Sequence, residues 1–299
     1  MRLIPASVSI LLVLLSGGCK KTTLLDQDLS LGSFQKQTIH YKTMPGVAPN
    51  LLSLDLYSYA DRSVLKPVVL YVHGGGWATG DKANKMANKV ALFNSLKYLL
   101  ISVNYRLSPS VLDLTNTTRV KYPDHSNDLA DAIKWVVDSI GHYGGDATRI
   151  VLLGHSSGAQ LVALMGTSQL FLPARHVALS FFKGIASIDT EGYDVPSQSS
   201  EPIYQNAFGT DPAVHLEASP LHQLSSAYRY PNFFIAKRGI PARLALADRF
   251  IGQLTTTGVK VSQVTGSQYD HEGINEAIGD PGDMVITPAL KAFLQTCFQ

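Results

Sequence analysis

Two short stretches carry what acyl transfer needs. Gly154-His155-Ser156-Ser157-Gly158 ends an apolar run and opens a helical one. A serine on so sharp a strand-to-helix turn is held out from the backbone as a nucleophile. The glycines two residues to either side are required because a Cβ there would strike the neighbouring strand or helix. The plainer reading is a tight turn that happens to contain serine; the junction between strand and helix is what favours the nucleophile. His73-Gly74-Gly75-Gly76 also follows an apolar run. Three glycines let the main chain pass close to a reacting carbonyl with its N–H groups pointing inward. Such fixed donors stabilise the oxyanion of a tetrahedral intermediate, and losing one raises the barrier by about 3–4 kcal/mol. The amides of Gly75, Gly76 and Ser157 are assigned to this role. Neither Gly-x-Gly-x-x-Gly nor Walker spacing is present to make the glycines a phosphate loop. His73 and Trp77 are assigned to the pocket, His73 fixing the loop by hydrogen bonding and Trp77 walling the cavity or packing beneath it.

The serine needs a base, and chain order selects one. A nucleophile on such a turn precedes its acid and its base. His40, His73, His125, His142 and His155 do not follow Ser156, and His176, His215 and His222 come before the strand Asn232-Phe-Phe-Ile-Ala236. His271 remains, on a loop after the last strand, where ligand chemistry collects in parallel sheets. The acid is expected after Asn232–Ala236, but Lys237-Arg-Gly-Ile-Pro-Ala242 holds no carboxylate. Asp248 falls inside a helix, and Asp270 is too close in sequence to His271. Asp189, ending the preceding strand, is the favoured acid because only geometry matters to the imidazole. Glu191 and Asp194 stand behind it, and an Asp that merely caps a loop is the plain alternative.

The elements that must position these groups are legible as periodicity. Leu51–Tyr59 alternates as a half-buried strand, whereas Pro67–Val72 is uniformly apolar, as a central strand covered on both faces would be. Further strands are expected at Tyr98–Tyr105, Arg149–Gly154, Phe182–Asp189, Asn232–Ala236 and Val259–Val264. Helices are expected around Lys85–Leu96, Asp124–Ile140, Ala159–Met165, Ala242–Gly258 and Thr287–Leu294. Strand and helix alternate, which specifies an α/β domain with a mostly parallel central sheet and helices on both faces. Thr190–Tyr230 is irregular and rich in Ser, Pro and Gln; it reads as loops over the upper edge of the sheet.

The 299 residues suffice for one large domain. A formal charge of +2 without a Lys/Arg stripe argues against nucleic acid as a partner. Arg2, an apolar stretch from Val8 to Leu15 and the small residues Ser16-Gly17-Gly18 form a secretory leader over 1–18, too short for a membrane span. Cys19 follows as in a bacterial lipoprotein cleavage box, with Ser16 where Leu is usual. The expectation is an exported chain lipidated at Cys19, tethered over 19–36 to one domain over 37–299; plain secretion is the alternative. With only Cys19 and Cys297, no disulfide scaffold is expected.

These residues carry a resemblance to the α/β-hydrolase carboxylesterases with an HGGG oxyanion loop, near bacterial acetylxylan and feruloyl esterases and kynurenine formamidase-like enzymes. The supporting stretches are His73-Gly-Gly-Gly-Trp77, Val103–Pro109, Tyr122–Asp128, Tyr143–Ile150, Gly154–Leu161 and His271–Asn275. The resemblance implies an α/β-hydrolase fold, ester hydrolysis through an acyl-enzyme on Ser156, and no metal or cofactor. It implies that Tyr105 and Arg106 brace the loops under the pocket. The family's Gly-x-x-Asp near Gly239 is absent here. The expected substrate is a short acyl or aryl ester, small or attached to polysaccharide. A formamidase-type amide hydrolase and a catalytically weak binding lipoprotein are the alternatives.

Overall fold

A computed structural model describes residues 34–299. The leader expected over 1–18, Cys19 and the tether as far as residue 33 lie outside the described residues. The expected tether reaches Lys36, but a strand already begins at Phe34.

The uniformly apolar runs became the interior of one eight-stranded sheet. Its strands are β1 (Phe34–His40), β2 (Ser53–Tyr59), β3 (Lys66–Val72), β4 (Leu99–Val103), β5 (Gly145–His155), β6 (Phe182–Ile188), β7 (Asn232–Lys237) and β8 (Val261–Thr265). They lie in the order β1-β2-β4-β3-β5-β6-β7-β8. β2 runs antiparallel to both neighbours, and every pairing from β4 to β8 is parallel. Alternate residues feed two separate cores. Val68, Leu70 and Val72 of β3, with Ile150 and Leu152 of β5, face one layer. Val69 and Tyr71, with Val151 and Leu153, face the other. A strand that must satisfy two apolar layers cannot show hydrophobic alternation, which is why these runs are continuous.

The first layer holds α2 (Asp124–Ser139) and α3 (Ser157–Thr167), with Ala247, Phe250 and Leu254 of α6 (Pro241–Thr256). The second holds α1 (Ala87–Ser95) and α8 (Ile286–Phe298), which follows the short α7 (Gly273–Glu276). Both layers follow from the helical spacing of their apolar residues. α2 runs on through a 3-10 turn to Tyr143, where Gly144 takes a left-handed φ of 82°. The stretch 190–230 contributes α4 (Pro202–Phe208), α5 (Pro212–Glu217) and 3-10 turns, and its Tyr204, Ala207, Phe208 and Leu221 join the first core.

β2 departs from the expected half-burial, since all seven of its residues are buried. Asp55 is polar yet 1 % exposed. β1 lies over this edge and supplies what a buried carboxylate requires: Lys36 pairs with Asp55 at 2.9 Å and Thr38 donates to it at 2.7 Å, while Lys82 approaches to 3.7 Å from the other side. An alternating sequence therefore describes a strand whose polar residues are partnered rather than solvated.

No helix among the described residues is long and apolar enough to cross a membrane.

Candidate active site

The loops that follow β3, β5, β6 and β8 all emerge at one end of the sheet, because those strands are mutually parallel. Each brings one part of the site.

β5 passes into α3 through Ser156, whose backbone is at φ 55° and ψ −119°. This strained conformation costs about 1–3 kcal/mol and persists only where the surroundings enforce it. The enforcement is visible in the glycines. A Cβ on Gly154 would lie 2.2 Å from the Gly158 carbonyl oxygen, and one on Gly158 would lie 2.2 Å from that of Val72. The Ser156 N–H donates to Ile188 O at 2.9 Å, which locks the turn to the end of β6.

His271, on the loop after β8, lies with Nε2 2.8 Å from Ser156 Oγ and with Nδ1 2.6 Å from Asp189 Oδ2. A carboxylate only accepts, so the proton sits on Nδ1 and the lone pair of Nε2 faces the serine hydroxyl. Burial pushes the Asp189 carboxyl up, but the hydrogen bond from His271 and the charges of Arg243 and Arg238 outweigh it and hold it below the ordinary carboxylate range. Asp189 is thus ionised at neutral pH. The two reserve acids are engaged elsewhere: Glu191 pairs with Arg243, and Asp194 with Arg249 and His222. Asp248 pairs with Lys237, and Asp270 caps the Gly273 N–H at 2.6 Å.

The glycine loop after β3 packs directly on the serine. A Cβ on Gly74 would lie 2.9 Å from Ser156 Cβ. Gly75 and Gly76 adopt φ 117° and 60°, which turns the chain back on itself and lets Gly75 O accept from the Ala78 and Thr79 amides. Among the described residues the amides of Gly75, Gly76 and Ser157 have no protein acceptor. All three residues line a cavity of about 340 Å³ with Ser156 and His271. Trp77, Ile203 and Tyr204 supply its apolar lining and Thr190, Glu191, Arg243 and Glu272 its polar lining.

His73 fixes the loop by hydrogen bonding, as expected, but its assignment to the pocket lining is corrected. Its ring is buried, stacks on Tyr105 at 4.8 Å and donates from Nδ1 to Gly74 O at 2.7 Å. The loop turns its amides, not this imidazole, toward the cavity. Trp77 both walls the cavity and packs: it is 3 % exposed, meets Tyr204 and Phe208 edge-on, and donates from Nε1 to Gln160 at 3.1 Å. Tyr105 and Arg106 brace from below, the first donating to His73 O at 3.2 Å and the second gripping Asp128 at 2.6 and 3.0 Å.

Sequence reasoning passed over several supporting residues. His155 precedes the proposed nucleophile, so chain order excludes it as the base. Its Nε2–H donates to the His271 carbonyl at 2.8 Å, and burial, then the neighbouring His271, push its imidazole down to about 3. It is a neutral strut for the base loop. Lys89, Tyr71 and Asn275 form a second strut: Lys89 donates to Asn275 O at 2.9 Å, and Tyr71 donates to its side-chain oxygen at 2.9 Å. Burial pushes the Lys89 ammonium down to about 7. A signal for the first existed, a histidine inside the elbow; a lysine on a helix carried none. His155, Asp189 and His271 also bring ligand atoms within 4.8 Å of one another. Both nitrogens of His271 and Nε2 of His155 are already committed to protein partners, so this donor set fits a proton relay better than a metal.

The BD-FAE family matches residues 54–175. Esterase LipQ of Mycobacterium tuberculosis is 32% identical over 137 residues, which cover 45% of this chain and 30% of LipQ. The chain thus spans under a third of the length of the curated relatives it matches first. Among solved structures, Esterase B from Lactobacillus rhamnosis superposes with a TM-score of 0.71 at 18% identity over 91% of each chain. A truncated carbohydrate esterase from gut microbiota does so with a TM-score of 0.69 at 16% identity, covering 89% of this chain and 98% of that one.

Proposed function

We propose that this chain, an α/β-hydrolase by fold, is a serine carboxylesterase that cleaves short acyl or aryl esters through an acyl-enzyme on Ser156. The observation that carries the reading is the unbroken line from Asp189 through His271 to Ser156 Oγ, opening on a cavity beneath three unpartnered amides. His271 Nε2 takes the hydroxyl proton as Oγ bonds to the ester carbon. The carbonyl oxygen becomes an oxyanion and receives the N–H groups of Gly75, Gly76 and Ser157. The imidazolium then gives its proton to the departing alkoxide, and the acyl group stays on Oγ. Water, deprotonated by the same nitrogen, completes the cycle.

Sugar-linked esters are the substrate class we favour, supported by the polar lining of the cavity and by the carbohydrate esterase among the similar folds. The alternative of an inert binding protein drew its motive from the absent Gly-x-x-Asp, and with Asp189 2.6 Å from His271 that motive is gone. The test is covalent: a fluorophosphonate probe should add once per chain, with the adduct mapped to Ser156 by mass spectrometry. No adduct, or one on another residue, would remove the reading.

We also propose export and lipidation at Cys19, on the strength of the 1–18 pattern alone. The full chain should partition with membranes and Cys19→Ala should not. Equal partition of both rules out the anchor.

A further inference from the structure

We propose that Arg238 and Arg243 are positioning residues for this reaction, a clamp that holds the acid of the relay in place one strand away from the loop after β7. The inference rests on the serine-esterase reading and adds to it. Asp189 follows β6, and its own N–H donates to Ala236 O on β7 at 2.8 Å. Its backbone sits at φ 51°, a left-handed position that a non-glycine residue adopts only under constraint. The loop after β7 carries no carboxylate; it sends a guanidinium to the acid instead. Arg238 Nε donates to Oδ2 at 2.6 Å. From the first turn of α6, Arg243 donates from Nε to Oδ1 at 3.0 Å, brings Nη2 within 2.9 Å of the same oxygen as an ion pair, and donates from Nη2 to the Asp189 carbonyl at 3.4 Å.

A carboxylate held by one hydrogen bond swivels about its Cβ–Cγ bond. Here each oxygen has its own guanidinium, so rotation that would take Oδ2 off His271 Nδ1 breaks arginine contacts on both sides. The clamp also sets charge. Asp189 and Glu191 balance Arg238 and Arg243, and Arg238 Nε and His271 Nδ1 share Oδ2. The other charged or titratable groups about the imidazole are Glu272, paired with Lys85, the neutral His155 and the buried Lys89. The variants below leave all of them in place.

The experiment measures kcat and KM on p-nitrophenyl acetate for wild type, Arg238→Met, Arg243→Met and the double variant, with Arg238→Lys as the conservative change. A loosened acid lowers kcat by up to about a hundred-fold in the double variant while KM stays within about two-fold. Arg238→Lys restores only part of kcat, because an ammonium lacks the planar fork. Unchanged kcat overturns the clamp. So does a raised KM at unchanged kcat, which would make the arginines substrate contacts. Should the double variant not fold, the single variants and Arg238→Lys decide. Failure of the clamp alone leaves phosphonate labelling of Ser156 intact; failure of the esterase reading abolishes labelling already in wild type and takes the clamp with it.

Discussion

Ser156→Ala is expected to lower kcat on p-nitrophenyl acetate on the order of a million-fold, with KM little changed. The alanine removes the only atom that forms the acyl bond and leaves the rest of the site standing. The elbow is held by Gly154, Gly158 and the Ser156 N–H to Ile188 O, none of which involves the hydroxyl. Far-ultraviolet circular dichroism and melting temperature should therefore match wild type. The three free amides remain, so a residual rate above the uncatalysed one survives from transition-state stabilisation alone. A fall of only ten-fold would mean that another group attacks the ester, and the acyl-enzyme route would be abandoned.

Asp189→Asn is expected to lower kcat by about ten thousand-fold, and here it should also weaken the fold. The clamp leaves an amide no good orientation. With its oxygen toward Arg238 and His271, its NH₂ faces the guanidinium of Arg243. With the amide turned over, NH₂ faces Nδ1 of His271 and forces the tautomer whose Nε2 bears a proton and cannot accept one from Ser156. Either way donors oppose donors in a buried place, at a cost of about 1–3 kcal/mol, readable as a lower denaturation midpoint in urea. The carboxyl is held below its ordinary value in the fold. Its contribution to stability is therefore complete above about pH 4 and is lost as pH falls through the folded value. Asp189→Asn should flatten that acid edge of the stability curve. A near-wild-type rate would move the acid to Glu191, the next carboxylate on the same loop.

The architecture was largely legible because it rests on local, repeating signals. Continuous apolar runs marked β3, β4 and β5, helical spacing marked α1, α2 and α6, and their alternation left few topologies open. Where legibility ended, a contact distant in sequence had overruled a local pattern. β2 reads as half-solvated until β1 lies along it and Lys36 reaches Asp55. β1 itself, polar and straddling the expected boundary between tether and domain, becomes a strand only by pairing with β2.

The site divides in the same way. The elbow serine, the triple-glycine turn and the base needed no coordinates, because each is tied to a short stretch whose backbone demands are written in glycines, or to an order along the chain. Asp189 could be named only as the best of three. Glu191 and Asp194 sit within five residues of it, and choosing among them meant knowing which side chain meets an imidazole 82 positions later and which are already paired with Arg243 and Arg249. His73 fixes the glycine loop by a hydrogen bond to Gly74 O, as its place before the glycines suggests, but the cavity beyond is lined by Gly75 and Gly76 and not by its ring. Composition, periodicity and motif determined the fold class and pointed to the atom proposed to attack. Folding alone decided which charges neutralise one another around the acid, since charge pairing depends on distances through space that the order of residues along a chain does not record.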